Sequence, residues 1–497
     1  MSSTARSTAV PVTAAVDAVM VSPEPLGSVP EGLVARTPPF FSSGALIGLT
    51  DRVGATGTYA GVAVRHPDGT WATIPPPRPV ANIVPTAFPG VAMLQFEGIE
   101  LGLPIGLLEA TTGRIVEFAR GSTLIGTGDL RRTFSAAAPA VAQVVGTASS
   151  PDGGVVRLSD LAVFPEGPCE DWHASPDGDL VVVTTSRNAP CDGGPASIRS
   201  LSSARSTPIG LDETNGPLSV EPDGFSPALT TVLIGQKVRE TIATFAIDTA
   251  SGLPNSESGL GGGSVVGWID EQRLLWAAEG TAGAEATGPS LLVWDTAAGQ
   301  ARTLIAPADA GAARTWCWSP SHPDVVLEEH FSISKPPSAD GAGVVRLVRL
   351  DGAVEVEATL PGRPIGACGS FQGRGEPVFW SDNVGGLAPV WMADPGTGKI
   401  IQGPTELGAR TVVPGPAGQM IALGNTSSRH FARDGESTEL LAATTIFAYN
   451  AQFAPSGDRI ALTGTTPQGT VVSVVVSTGG EVLETLPGIA AVGWVRA

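Results

Sequence analysis

The stretch CEDWHASPDGDLVVVTT, residues 169–185, gathers the side chains most able to do chemistry. Asp171 and His173 are its sharpest candidates, because a carboxylate and an imidazole are the usual tools for proton transfer and for ligand binding. Arg314 stands in a comparable place in a later part of the chain. If the three converge, they form a ligand-binding site; otherwise they hydrogen-bond locally and fix the backbone. The second outcome is the expected one.

Glu328, Glu329 and His330 are consecutive, with His322 just upstream. On a strand Glu328 and His330 share one face and Glu329 takes the other. Two ligands on one face do not make a metal site, so a polar strand stretch is expected. The five histidines are His66, His173, His322, His330 and His430, and none sits in a nucleophile motif. No G-x-S-x-G occurs, no calcium-loop pattern occurs, and the Gly-rich run 259–268 has no Lys after it to make a phosphate loop. The sequence therefore assigns no catalytic residue, no metal and no cofactor, and an enzyme is disfavoured.

Cys169, Cys191, Cys317 and Cys368 show no zinc spacing. Cys169 and Cys191 flank one expected hairpin and are close enough in sequence to pair. Two free thiols are an equal alternative there, since disulfides are rare where no export signal is present.

The elements that must position these residues are strands. The 497 residues include 63 Gly and 43 Pro, with only 15% charged. Such a composition disfavours long exposed helices and suits short strands with tight turns. One unit, aromatic-x-x-Ser-Pro-turn-apolar run, recurs. Aligned at Pro176, Pro227, Gln272, Pro320, Gly373, Pro416 and Pro455, its copies are 39 to 53 residues apart. A second hairpin follows each copy, for example at 291–305, 346–360 and 472–486. Four antiparallel strands every ~45 residues describe a β-propeller blade.

The Ser-Pro-Asp-Gly turn at 175–178 resembles the turn of TolB-like propeller repeats, and Trp294-Asp295 resembles the Trp-Asp of WD-repeat blades. The likeness covers residues 165–497. It implies a fold and a tendency to bind, with no catalytic residue to carry over. Most copies lack Asp-Gly after the Pro, and no Gly-His pair precedes them.

The expected fold is all-β: a β-propeller of seven four-stranded blades over 161–497. Before it come an extended Ala/Pro/Ser-rich arm, 1–40, and a β-rich domain or additional blades, 41–160. The closing segment 489–497 is expected to pair with an earlier strand and close the ring.

A net charge of −19 with no basic stripe disfavours nucleic acid. No apolar run reaches the ~20 residues of a membrane span. No export signal is recognisable, which favours a cytoplasmic or particle-bound protein over a secreted one. The expected role is a non-catalytic scaffold for protein partners, engaged through the N-terminal arm and the propeller loops, possible also as a component of a larger assembly. The alternatives are a propeller enzyme of lyase, lactonase or glycosidase type at the central channel, and an envelope-associated TolB-like module.

Overall fold

The computed structural model describes residues 19–21, 45–53, 58–65, 71–85, 90–97, 105–110, 112–117, 123–125, 141–145, 154–157, 162–165, 170–185, 195–203, 205–238, 241–256, 259–279, 288–307, 312–332, 343–360, 363–365, 367–368, 371, 378–382, 390–394, 399–402, 411–416, 419–432 and 436–495.

Turn chemistry sets the strands. In the opening stretch Ser175 Oγ donates to Asp177 Oδ1 (2.6 Å) and accepts from the Leu180 N–H (3.0 Å). Gly178 takes the left-handed conformation that closes the turn. The Ala454 turn shares the left-handed glycine, at Gly457, and has Ser456 bonded to Asp458. In the Ser226 turn the same place is held by Leu229, at φ 61°. A branched residue there is strained, and Glu271 of the next sheet clasps that turn, accepting from Ser226 Oγ (3.0 Å), the Ala228 N–H (2.5 Å) and Thr230 Oγ1 (3.1 Å).

The strands run in chain order as follows. The first are β1 (Val19–Val21), β2 (Ala45–Val53), β3 (Thr58–Arg65), β4 (Trp71–Ile74), β5 (Val80–Pro85), β6 (Val91–Phe96), β7 (Ile105–Glu109) and β8 (Arg114–Glu117). Within this network β3 meets β5 only at Tyr59 and Val80, so β5–β8 is a four-stranded unit of its own. A four-stranded sheet follows, of β9 (Thr123–Ile125), β10 (Val141–Val145), β11 (Gly154–Arg157) and β12 (Ala162–Pro165).

The opening stretch builds β13 (Glu170–Ala174) and β14 (Leu180–Thr185), joined by β15 (Ser197–Ser200) and β16 (Ser206–Pro208). Next come β17 (Leu218–Phe225), β18 (Thr231–Val238) and β19 (Thr241–Asp248), a three-stranded sheet. Two isolated bridges, Thr244 to Leu260 and Ile247 to Pro254, run along β19 where a fourth strand would lie. Four-stranded sheets then form from β20 (Gly263–Trp268), β21 (Arg273–Ala278), β22 (Ser290–Asp295) and β23 (Gln300–Ile305), and from β24 (Ala312–Trp318), β25 (Val325–Ser332), β26 (Gly343–Arg349) and β27 (Val354–Leu360). Three more follow the same plan. They are β28 (Arg363–Ile365), β29 (Val378–Asp382), β30 (Val390–Asp394) and β31 (Lys399–Gln402); β32 (Thr411–Pro414), β33 (Met420–Leu423), β34 (Ser427–Phe431) and β35 (Ser437–Ala442); and β36 (Phe447–Phe453), β37 (Arg459–Thr465), β38 (Val471–Ser477) and β39 (Val482–Pro487).

The seven aligned sequence units match the seven sheets from β13 to β39. Six have four strands and β17–β19 has three. Three hairpins also form upstream, as β3–β4, β7–β8 and β10–β11. The last strand, β40 (Ala490–Val495), returns to pair antiparallel with β2, from Ala45 opposite Val495 to Leu49 opposite Ala490. The two ends of the chain thus share one sheet, and that edge is removed. At the outer side of the same sheet, β1 pairs with β4.

Second strands carry buried apolar runs: Val181, Val182 and Val183 of β14 and Ile460, Ala461 and Leu462 of β37 are all buried. Trp172, Trp268 and Trp316 are buried on first strands. Trp294 packs edge-on to Trp276 with both rings fully buried, centroids 6.1 Å apart. Asp295 beside it caps the following turn through the Ala297 and Ala298 N–H groups.

Cys317 and Cys368 form a disulfide, Cα–Cα 5.4 Å, that ties the β24–β27 sheet to the next one. Cys169 and Cys191 lie outside the described residues.

Candidate functional site

The first strands of successive sheets touch: β17 meets β20, β20 meets β24, β32 meets β36, β36 meets β40 and β40 meets β5. They are therefore the inner strands. All enter their first turn the same way, so their opening residues share one rim. That turn begins at Ser175, Ser226, Ile269, Ser319 and Ala454 in five of the sheets. Five residues earlier stand Glu170, Glu221, Ser264, Arg314 and Tyr449. Glu170 and Arg314 hold one repeated position in regular pairing, whereas the pairing of β17, β20 and β36 slips at or just after Glu221, Ser264 and Tyr449.

Glu170 is held within its own sheet. Its carboxylate accepts from Trp172 Nε1 (2.8 Å) and from both terminal nitrogens of Arg199 (2.6 and 3.2 Å). Arg314 is held likewise. Its Nε lies 3.1 Å from Glu328, a carboxylate with 2% of its side chain exposed, and its NH1 donates to the Ala306 carbonyl. Arg346 reaches Glu328 from the other side (3.8 Å) and pairs with Glu357 (2.8 Å). The four charges cross the sheet in one row, a ladder that fixes strand register.

His330 faces Arg314 across the strands. Burial first, and then the charge of Arg314, hold its pKa below the ordinary value. Its Nδ1 and the indole nitrogen of Trp316 are buried without a hydrogen-bond partner among the described residues. Glu329 turns to the opposite face and accepts the Cys368 N–H at 2.9 Å. Glu328 is thus an ion-pair partner, as the polar-strand reading expects. Among the described residues no three His, Cys, Asp or Glu side chains come together as a metal site.

Glu221 is a rim carboxyl whose pKa is raised. Burial pushes its pKa up and the nearby charge of Glu279 adds to this, while a bond from Thr244 Oγ1 (3.3 Å) opposes it. The sequence reading passed over Glu221 and Glu170. Counting back from each turn would have found both.

Asp171 and His173 pair opposite Thr184 and Val182, on the face of β13 away from Glu170 and Trp172. Arg314 stands three sheets further on, beyond β17–β19 and β20–β23. The repeat position of Arg314 corresponds to Glu170 and not to Asp171.

On Tyr449 the rim changes character. The pairing of β36 with β37 slips between Ala448 and Asn450, leaving Tyr449 as a bulge residue. Bulges re-aim side chains at sheet rims. Tyr449 is 46% exposed and Phe447 41%, whereas Trp172, Trp268, Trp316 and Phe453 on inner strands are all buried.

The repeated antiparallel sheets, their touching inner strands and the closing β40–β2 pair define a β-propeller. No family model and no curated protein matches the chain. Among solved structures it is similar to a eukaryotic initiation factor, at 9% identity and TM-score 0.44 over 89% of this chain and 95% of that one. It is also similar to an oligogalacturonate lyase in complex with manganese, at 12% and 0.35 over 85% and 95%. A third is TolB from Acinetobacter baumannii, at 11% and 0.24 over 71% and 79%. No helix among the described residues is long and apolar enough to cross a membrane.

Proposed function

We propose that this chain is a non-catalytic β-propeller that holds a protein partner at its inner-strand rim, as a scaffold within a larger assembly. One observation carries the reading. Two of the rim's charged groups, Glu170 and Arg314, are tied into ion pairs within their own sheets, whereas the exposed large hydrophobic side chains of the described inner strands, Phe447 and Tyr449, are aromatic. Exposed aromatics on a rigid frame are what recognition surfaces use. The arm supports the same reading, since β1 pairs antiparallel with the outer edge of β4. The Cys317–Cys368 bond favours an oxidising compartment for the folded chain. Co-purification of the native chain, with and without residues 1–40 and with and without Phe447→Ala/Tyr449→Ala, tests it. A partner that persists through both changes would refute both routes of engagement.

A second reading, an enzyme at the channel mouth, rests on Glu221. A carboxyl raised by burial beside a second acid is suited to general-acid work. Turnover of an oligosaccharide panel, abolished by Glu221→Gln, would support it; no turnover by the native chain would remove it.

A further inference from the structure

We propose that a pocket between the β17–β19 and β20–β23 sheets binds a short aliphatic diamine. The pocket lies at the strand ends opposite the inner-strand rim, and it is independent of the protein-binding reading above.

The local chain builds the pocket. Thr231, the first residue of β18, stands opposite Asp248, the last of β19. Asp248 Oδ1 accepts both the N–H and the Oγ–H of Ser251 (2.7 Å each), and Gly252 is left-handed. The chain therefore turns back along β19 in place of a regular fourth strand. The Asn255 N–H donates to the Ala246 carbonyl (2.8 Å), and Asn255 Nδ2 reaches Thr231 Oγ1 (3.4 Å). The opposite wall comes from two turns of the next sheet. Thr296 donates to the Gln272 carbonyl through its N–H (2.8 Å) and its Oγ1 (2.9 Å). Glu271 joins the two walls by its clasp on the Ser226 turn. Together they leave a pocket of about 300 Å³, room enough for a small molecule. Its walls are fixed before a ligand arrives, which lowers the cost of binding.

The lining selects the ligand by charge and by hydrogen-bonding sense. Among the described residues two carboxylates, Asp248 and Glu271, line the pocket, and no Lys, Arg or His does. The Ser251 bonds hold the Asp248 pKa below the usual carboxylate range, so it is charged at neutral pH. Arginines of the adjoining turns are engaged elsewhere: Arg205 donates to the Ala250 carbonyl (3.0 Å) and Arg273 pairs with Asp270 (2.7 Å). An anion is therefore repelled here.

The open groups are acceptors. Asp248 Oδ2, Asn255 Oδ1 and Gln272 Oε1 take no hydrogen bond among the described residues. Glu271 accepts three, of about four that a carboxylate can take. A ligand rich in N–H donors satisfies such a set. No aromatic or large apolar side chain lines the pocket, so neither an apolar body nor a sugar ring has a face to pack on. A calcium ion draws six to eight oxygens to about 2.4 Å, whereas the Glu271 oxygens are held by the Ser226 turn. Two carboxylates supplied by different sheets match two ammonium groups on one short chain.

The test titrates 1,4-diaminobutane into the full chain by isothermal calorimetry at low salt, with butylamine, calcium chloride and sorbitol as comparators. The expected result is one saturable site for the diamine, with butylamine about tenfold weaker. Asp248→Asn keeps an Oδ1 for the Ser251 N–H and should weaken the diamine about tenfold. Gln272→Lys brings its own ammonium to the pocket from an exposed side chain, and should weaken the diamine about as much with unchanged melting. If Asp248→Asn fails to fold, Gln272→Lys decides alone. No saturation by about 10 mM diamine overturns the proposal. Binding that Gln272→Lys leaves unchanged also overturns it, as uptake by the acidic surface. Calcium or sorbitol binding more tightly than the diamine, and displacing it, would assign the pocket to that chemistry instead.

Discussion

Removing the Cys317–Cys368 bond should loosen one seam of the ring by a calculable amount. The bond closes a loop with a sequence separation of 51 residues. Loop-closure entropy for that length corresponds to about 4 kcal/mol in the unfolded chain. The temperature equivalent depends on what melts together. At about 2.1 cal/mol/K per residue, cooperative melting of the whole chain turns the loss into a fall in Tm of roughly 4 °C. If the two linked sheets, residues 312–402, melt as a unit, the same loss is a fall of roughly 20 °C. Cys317→Ala/Cys368→Ala, followed by calorimetry with and without reductant, separates these cases. Reductant should lower Tm in the native chain and leave the Cys317/Cys368 seam of the double variant without further effect. Free thiols at both positions by alkylation and mass spectrometry, in protein that was never reduced, would refute the reasoning.

Other predictions concern the remaining seams. Arg65 and Glu484 form a fully buried ion pair, 3.0 Å, that links β3 to β39 across the closure. Arg65→Met leaves a buried carboxylate alone and should cost about 3–5 kcal/mol in chemical denaturation; a cost under about 1 kcal/mol would contradict the burial. Burial raises the Glu484 pKa despite Arg65, so the folded state keeps its proton to higher pH than the unfolded state. Glu484 therefore favours folding below the ordinary Glu range, and this contribution is lost as pH rises through its folded value. Glu484→Gln should flatten that slope in a pH series of melts. His330 and His430 are both lowered, chiefly by burial. Their sign is opposite: stability is full above the ordinary His value near 6.5 and falls as pH drops below it. His430→Asn should reduce the acid-side loss. Glu271→Ala removes three bonds from the Ser226 turn and should cost about 1–3 kcal/mol, with faster amide exchange confined to 226–231.

The repeat was legible because turn and strand chemistry are local. Ser175, Asp177 and Gly178 make a turn whatever lies around them, and Val181–Val183 must be buried once it forms. Even the returning C-terminal strand was readable, since IAAVGWVRA resembles a first strand with no second. Partner choice was not local. Glu170, not Asp171, takes the Trp172 indole and Arg199, because the strand's alternation puts 170 and 172 on one face and Arg199 arrives from β15, 29 residues on. The counter-charge of Arg314, Glu328, comes from the next strand, 14 residues on. The Cys317–Cys368 bond spans two sheets, which spacing alone does not reveal. Phe447 and Tyr449 carried no motif; their exposure follows from a bulge that only the pairing register shows.

The central claim is that the chain closes on itself, β40 against β2, and so turns separate sheets into one frame with a common rim. Ala45 and Val495 face one another in that pairing. Ala45→Cys/Val495→Cys, oxidised at low protein concentration and mapped by peptide mass spectrometry, reads it directly. The account predicts a bond within one chain, joining residues 45 and 495, at every concentration tested. No bond, or one that forms only between chains, would contradict it.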